Sequence, residues 1–123
     1  MSLGLYNEKY FENNPEQANK PGALYCIVLV NKKTDKRECV KIGITQGTAN
    51  RDVIKRTFGF KGYEPRIQKT VFGTLEEVYH LEQWLHELWQ DHRYYDSHRF
   101  GGHTELFKID KLHEILKSIP SKV

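Results

Sequence analysis

Residues 74–90 read Thr74-Leu75-Glu76-Glu77-Val78-Tyr79-His80-Leu81-Glu82-Gln83-Trp84-Leu85-His86-Glu87-Leu88-Trp89-Gln90. At roughly 100° per residue, Leu75, Val78, Leu81, Leu85, Leu88 and Trp89 gather on one face, which predicts an amphipathic helix over 75–90. Thr74 suits its N-cap. Glu76 and Glu77 fall in the first turn, where the helix dipole favours negative charge. One residue breaks the pattern. Glu82 lies inside the apolar sector, about 50° from its centre, while the other charged side chains fall outside. A carboxylate placed there must be desolvated, paired, or exposed at an opening in the core. Two readings follow: a structural ion pair or loop contact, and a functional acid. His86 stands one turn later and can share a face with Glu82.

Upstream, Ala23-Leu24-Tyr25-Cys26-Ile27-Val28-Leu29-Val30 is a continuous apolar run that predicts a buried strand. A charged turn over 31–37 joins it to a second strand over 39–45, giving an antiparallel hairpin. Thr48 or Asn50 caps a short helix running to about Phe58, ended by Gly59 and Gly62. Residues 65–72 form a third strand, with Ile67 and Val71 on one face. Beyond the long helix comes a His-rich loop over 91–103, then an extended segment over 104–107. A short amphipathic helix over 108–119 follows, through Ile109, Leu112, Ile115 and Leu116. The order is ββαβα: an α+β fold with a small antiparallel sheet of about three strands flanked by helices. Residues 1–21 are polar and read as a flexible N-terminal arm that Tyr6, Tyr10 and Phe11 would let dock; 22–119 read as one domain.

The chain has 123 residues, which suits a single core. No apolar run has the length of a membrane span, and the N-terminus lacks a secretory pattern, so the cytoplasm is expected. The net charge is +3, and from Lys32 to Lys69 eleven Lys or Arg face four Asp or Glu. The positive surface therefore belongs to the first half of the domain. Lys55, Arg56, Lys61, Arg66 and Lys69 either line a groove for a nucleic-acid backbone or form an ordinary basic surface. Tyr94, Tyr95, His98, Arg99 and Phe100 make a basic-aromatic loop that either stacks on bases or packs. Cys26 and Cys39 do not face each other in a plausible hairpin register, so two buried thiols are expected rather than a disulfide. The histidines lack zinc-site spacing, and Glu82-x-x-x-His86 is not a zinc-protease helix.

Three further segments stand in a definite order. Ala23-Leu24-Tyr25 opens the first strand, Lys41-Ile42-Gly43 lies in the second, and Arg51 follows in the first turn of the next helix. With Leu81-Glu82-Gln83-Trp84-Leu85-His86, and with Gly102-His103-Thr104-Glu105-Leu106-Phe107 near the end, the chain resembles the GIY-YIG nuclease superfamily. The likeness spans roughly residues 22–107 and is nearest to the phage-associated branch whose second motif reads Lys-Ile-Gly. Of the first motif only Tyr25 is kept, and Lys41 stands where the second motif has its tyrosine.

The resemblance implies a metal-dependent endonuclease that hydrolyses phosphodiester bonds in DNA. It implies that Glu82 holds Mg²⁺ (or Mn²⁺), a hard cation that keeps several waters and needs few protein ligands. Tyr25 would position or deprotonate the attacking water, Lys41 would assist beside it, and Arg51 would brace the scissile phosphate. Glu105 would be a second acidic contact or a loop anchor. Two alternatives are a nucleic-acid-binding module with an impaired site, and a protein-interaction domain in which Glu82 pairs with Arg51. A homodimer or partner protein would supply specificity that so small a surface lacks.

Overall fold

In a computed structural model, residues 7–57, 62–94 and 106–123 are described. Strands β1 (Pro21–Asn31), β2 (Lys36–Gln46), β3 (Tyr63–Thr74) and β4 (Leu106–Lys108) form one antiparallel sheet in the order β3-β1-β2-β4. The helices are α1 (Glu8–Asn13), α2 (Pro15–Ala18), α3 (Asn50–Thr57), α4 (Leu75–Leu88) and α5 (Leu112–Ser118), with 3₁₀ turns at Gln90–His92 and Ile109–Lys111. The expected α+β fold is present, with the 104–107 segment adding a fourth strand at its Leu106–Phe107 end.

β1 is paired on both sides and covered on both faces. A strand buried in this way reads as an unbroken apolar run rather than an alternation. Its even residues Leu24, Cys26, Val28 and Val30 join Val40, Ile42, Val71, Leu75, Val78, Leu85, Phe107 and Ile115 in a core beneath α4 and α5. Its odd residues Ala23, Tyr25, Ile27 and Leu29 join Cys39, Val53, Tyr63 and Leu106 in a smaller cluster beneath α3. Each fully buried Leu, Ile or Val contributes about 1.5–3 kcal/mol, so the α4 face holds most of the stability. Cys26 pairs with Ile42 and Cys39 with Leu29, which puts the two thiols on opposite faces. Both are free, and burial pushes the Cys26 thiol up to about 12.

α4 begins as its sequence predicts. Glu77 N donates to Thr74 Oγ1 (3.2 Å) and Thr74 N to Glu77 Oε1 (2.9 Å), a reciprocal capping box. The Thr74 backbone hydrogen bond holds the Glu77 carboxyl below the usual range. Leu75 N donates to Lys20 O (2.7 Å). A Cβ on Gly22 would lie 2.8 Å from Leu75 Cα, so the bare glycine lets the helix start against β1.

Two expectations change. Residues 8–18 form two short helices instead of a loose arm. Asn7 caps the first, accepting from Tyr10 N at 2.7 Å, and Phe11 and Ala18 are buried in the α4 core. Two apolar anchors in a polar stretch suffice once α4 offers a face to receive them. Ile67 and Val71 lie on opposite faces, because an irregularity between Cys26 and Ile27 leaves Gln68 without a partner on β1. One extra residue flips every side chain beyond it.

Candidate active site

Tyr25 and Lys41 sit together on the α3 face. Tyr25 stands opposite Gly43, and Lys41 two pairs further along, opposite Ile27. The Lys41 ammonium donates to Tyr25 Oη at 2.9 Å and lies 5.0 Å from the ring centroid. Both side chains are buried, Lys41 being only 1% exposed. They lean across Gly43: a Cβ there would come within 2.5 Å of Tyr25 Oη and 2.9 Å of Lys41 Nζ. Gly43 is thus required by close approach, and any side chain would displace the pair.

The first turn of α3 is held above the same row. Thr70 stands opposite Tyr25 on β3, and its hydroxyl donates to Asn50 Oδ1 at 2.9 Å. Val53, one turn on, packs in the Tyr25 cluster. Arg51, between them, is exposed. Asp52 secures the preceding turn by accepting from Thr48 N (2.9 Å) and Ala49 N (3.1 Å); the Thr48 bond, foremost, holds its carboxyl below the usual range. Lys55 is exposed on α3, whose span also includes Arg56.

Glu82 approaches from the other face. It is 3% exposed and turned toward the sheet with Leu75, Val78, Leu85 and His86. Gln83 Nε2 donates to its Oε1 at 3.2 Å. Its place along β2 follows from two fixed points. Leu75 lies against Gly22, which pairs with Gln46, and His86 Nε2 lies 2.9 Å from the carbonyl oxygen of Ile42. α4 rises ~16 Å over that span while β2 covers ~13 Å. Glu82, one turn before His86, therefore stands level with Gly43 and Ile44. There β2 has Tyr25 and Lys41 on one side and Glu82 on the other. Pairing with β4 spans Cys39–Lys41 and, among the described residues, does not reach Ile42–Gln46.

The remaining predicted residues scatter. Arg66 pairs in register with Val28, which puts it on the α4 face, away from Lys55, and it makes an exposed ion pair with Glu64 at 3.4 Å. It does not share a groove with α3, and the irregularity at Gln68 is the reason. Lys69 donates to Ile119 O at 2.6 Å. Arg51 makes no ion pair with Glu82; among the described residues the ion pairs are Arg66–Glu64 and His80–Glu8. Lys61, Tyr95, His98, Arg99, Phe100 and Glu105 lie outside the described residues, as does the Arg56 side chain. Sequence reading missed Thr70 and took Asn50 only as a helix cap, because their hydrogen bond depends on strand register. His86 carried a signal, its spacing from Glu82, though not its carbonyl partner.

Residues 22–121 match the model of the T5orf172 domain. The chain belongs to that family. The T5orf172 domain is phage-associated and related to nuclease-like folds. No curated protein and no solved structure gives a match. The T5orf172 match covers the sheet, α3, α4 and α5, and leaves α1 and α2 outside it. Among the described residues no group of three or more His, Cys, Asp or Glu is gathered as for a metal ion, and no helix is long and apolar enough to cross a membrane.

The donor set bears on which metal this domain would suit. His86 Nε2 is engaged with a backbone carbonyl, which among the described residues leaves Glu82 as the carboxylate at the level of Gly43. One oxygen donor group fits Mg²⁺ or Mn²⁺, which retain waters, and does not fit structural zinc.

Proposed function

We propose that this T5orf172 domain hydrolyses phosphodiester bonds in DNA, with a divalent metal, Mg²⁺ or Mn²⁺, held by Glu82. The observation that carries the reading is the buried Lys41–Tyr25 pair at the same level of β2 as the buried Glu82. A lysine and a phenol inside a sheet face cost desolvation that hydrocarbons would not. Their hydrogen bond and the cation above the ring recover part of that cost. What remains is a fixed cation and a fixed phenol oxygen on one face of β2 and a fixed carboxylate on the other, a combination suited to an anionic substrate reaching the strand edge.

In this mechanism the phosphate lies along the edge of β2 at Gly43. Arg51 reaches down from α3 and binds two non-bridging oxygens with paired N–H donors. Lys41 holds Tyr25 Oη in place and adds positive charge where the pentavalent centre gathers negative charge. Tyr25 Oη orients the attacking water by accepting one of its hydrogens. His86, bonded to Ile42 O, fixes α4 against β2 and so fixes where Glu82 stands. The metal, when bound, supplies Lewis-acid polarisation of the phosphate and stabilises the leaving oxygen. A second copy or a partner protein would add the surface needed to choose a site.

The test is nicking of supercoiled plasmid by purified protein with Mg²⁺ or Mn²⁺, using Glu82→Ala and Arg51→Ala variants checked for native circular dichroism. The expected result is metal-dependent nicking that both variants lose. A protein that cuts no nucleic acid with any divalent metal contradicts the reading. Salt-sensitive DNA binding that survives Glu82→Ala, with no cutting, would assign the domain to binding alone.

A further inference from the structure

Phe72 is 41% exposed. It pairs in register with Ala23, and Thr70, two residues back, pairs with Tyr25. Its side chain therefore points to the α3 face, ~6.6 Å along β3 from the Thr70–Tyr25–Gly43 row. The residues beside it across the sheet are small: Ala23 on β1, then Thr45 on β2. They leave the ring without a large neighbour in its own row. Arg51 and Lys55 are exposed on α3, whose first turn is tied to this face of β3 by the Thr70–Asn50 hydrogen bond.

An exposed aromatic on the face that carries a cationic phosphate position is an arrangement by which proteins hold an unstacked base. Every base offers a π-face, and the backbone of the same strand meets the cations. A base inside a duplex cannot present that face without leaving its stack. We propose that Phe72 is a stacking platform for one unpaired base of the strand whose phosphate lies at Tyr25 and Arg51, so that the substrate is nucleic acid single-stranded or unpaired at that nucleotide. This rests on the reading of the Gly43 site as a nucleic-acid site, and it adds the form of the substrate.

The experiment measures affinity for a fluorescein-labelled single-stranded oligonucleotide and for the fully paired duplex of the same sequence, in Ca²⁺ and at fixed salt. It compares the wild type with Phe72→Leu and Phe72→Trp. Leucine keeps an apolar side chain of similar size and removes the ring. The expected result is about tenfold weaker single-strand binding by Phe72→Leu, unchanged duplex binding, and single-strand affinity restored by Phe72→Trp. Equal single-strand affinity of Phe72→Leu and wild type, or an equal loss on both forms, overturns the proposal. If wild-type protein binds and nicks DNA while Phe72→Leu behaves as wild type, the stacking proposal fails and the nuclease reading stands. If wild type binds neither form, both fail.

Discussion

The α4 face and the α3 face of the sheet share one central strand and differ in what they bury. Under α4 the strands supply only hydrocarbon at Leu24, Val28, Val40, Ile42 and Val71, and the polar groups, Glu82 and His86, come from the helix. Under α3 the strands themselves supply the polar groups, Tyr25 Oη and the Lys41 ammonium, and the helix contributes Val53 to the packing. Lys41, Glu82 and His86 are the buried polar or charged side chains among the described residues, and all three lie against β2. The β3 side of the sheet holds no such group within the described residues. Stability is thus concentrated on one face, and the buried polar side chains are gathered along one strand, reached from both faces.

That division can be broken at several points. The largest effect is expected from Glu82→Gln, which keeps shape and removes the charge: about 10³-fold slower plasmid nicking at saturating Mg²⁺, followed by gel densitometry, with a thermal midpoint close to wild type. A loss of fold with no change in rate per folded molecule would make Glu82 structural. Gly43→Ala comes next. Its methyl displaces Tyr25 Oη and Lys41 Nζ without touching either residue's chemistry, and about 10²-fold slower nicking is expected.

Ile115→Ala probes the opposite property. It cuts into the α4-face core and is expected to cost about 2–5 kcal/mol in urea unfolding, while nicking per folded molecule at low temperature is unchanged. The smallest effect is expected from Asp52→Asn, a slight lowering of the thermal midpoint through a looser turn before α3. The Asp52 carboxyl lies below its ordinary value when folded, so its contribution is present above that ordinary value and is lost as pH falls through the folded one. Midpoints of variant and wild type should therefore differ at neutral pH and converge in acid.

Much of the fold was written in local pattern. The apolar run at 23–30, the punctuation after Thr45 and the periodicity behind Thr74 place β1, β2 and α4, and period alone put Glu82 toward the core. What could not be read depends on pairing. The unpaired Gln68 sends Ile67 and Arg66 to faces that simple alternation does not assign, so a basic groove joining Arg66 to Lys55 does not form. The helices over 8–18 depend on a docking face made by distant residues. The contact of Thr70 with Asn50 follows from register and from no motif, whereas the resemblance already set Lys41 beside Tyr25. The resemblance to GIY-YIG nucleases named Tyr25, Lys41, Arg51 and Glu82, but only the sheet shows that two of them stand across β2 from Glu82.

The central claim is that Tyr25 and Glu82 act as one unit across the edge of β2. A double-mutant cycle on metal-dependent nicking tests it most directly, using wild type, Tyr25→Phe, Glu82→Gln and the double variant. Groups that serve one step are strongly non-additive. The double variant is expected to be little slower than the slower single variant. Losses that multiply, or a wild-type protein that does not nick at all, would contradict it.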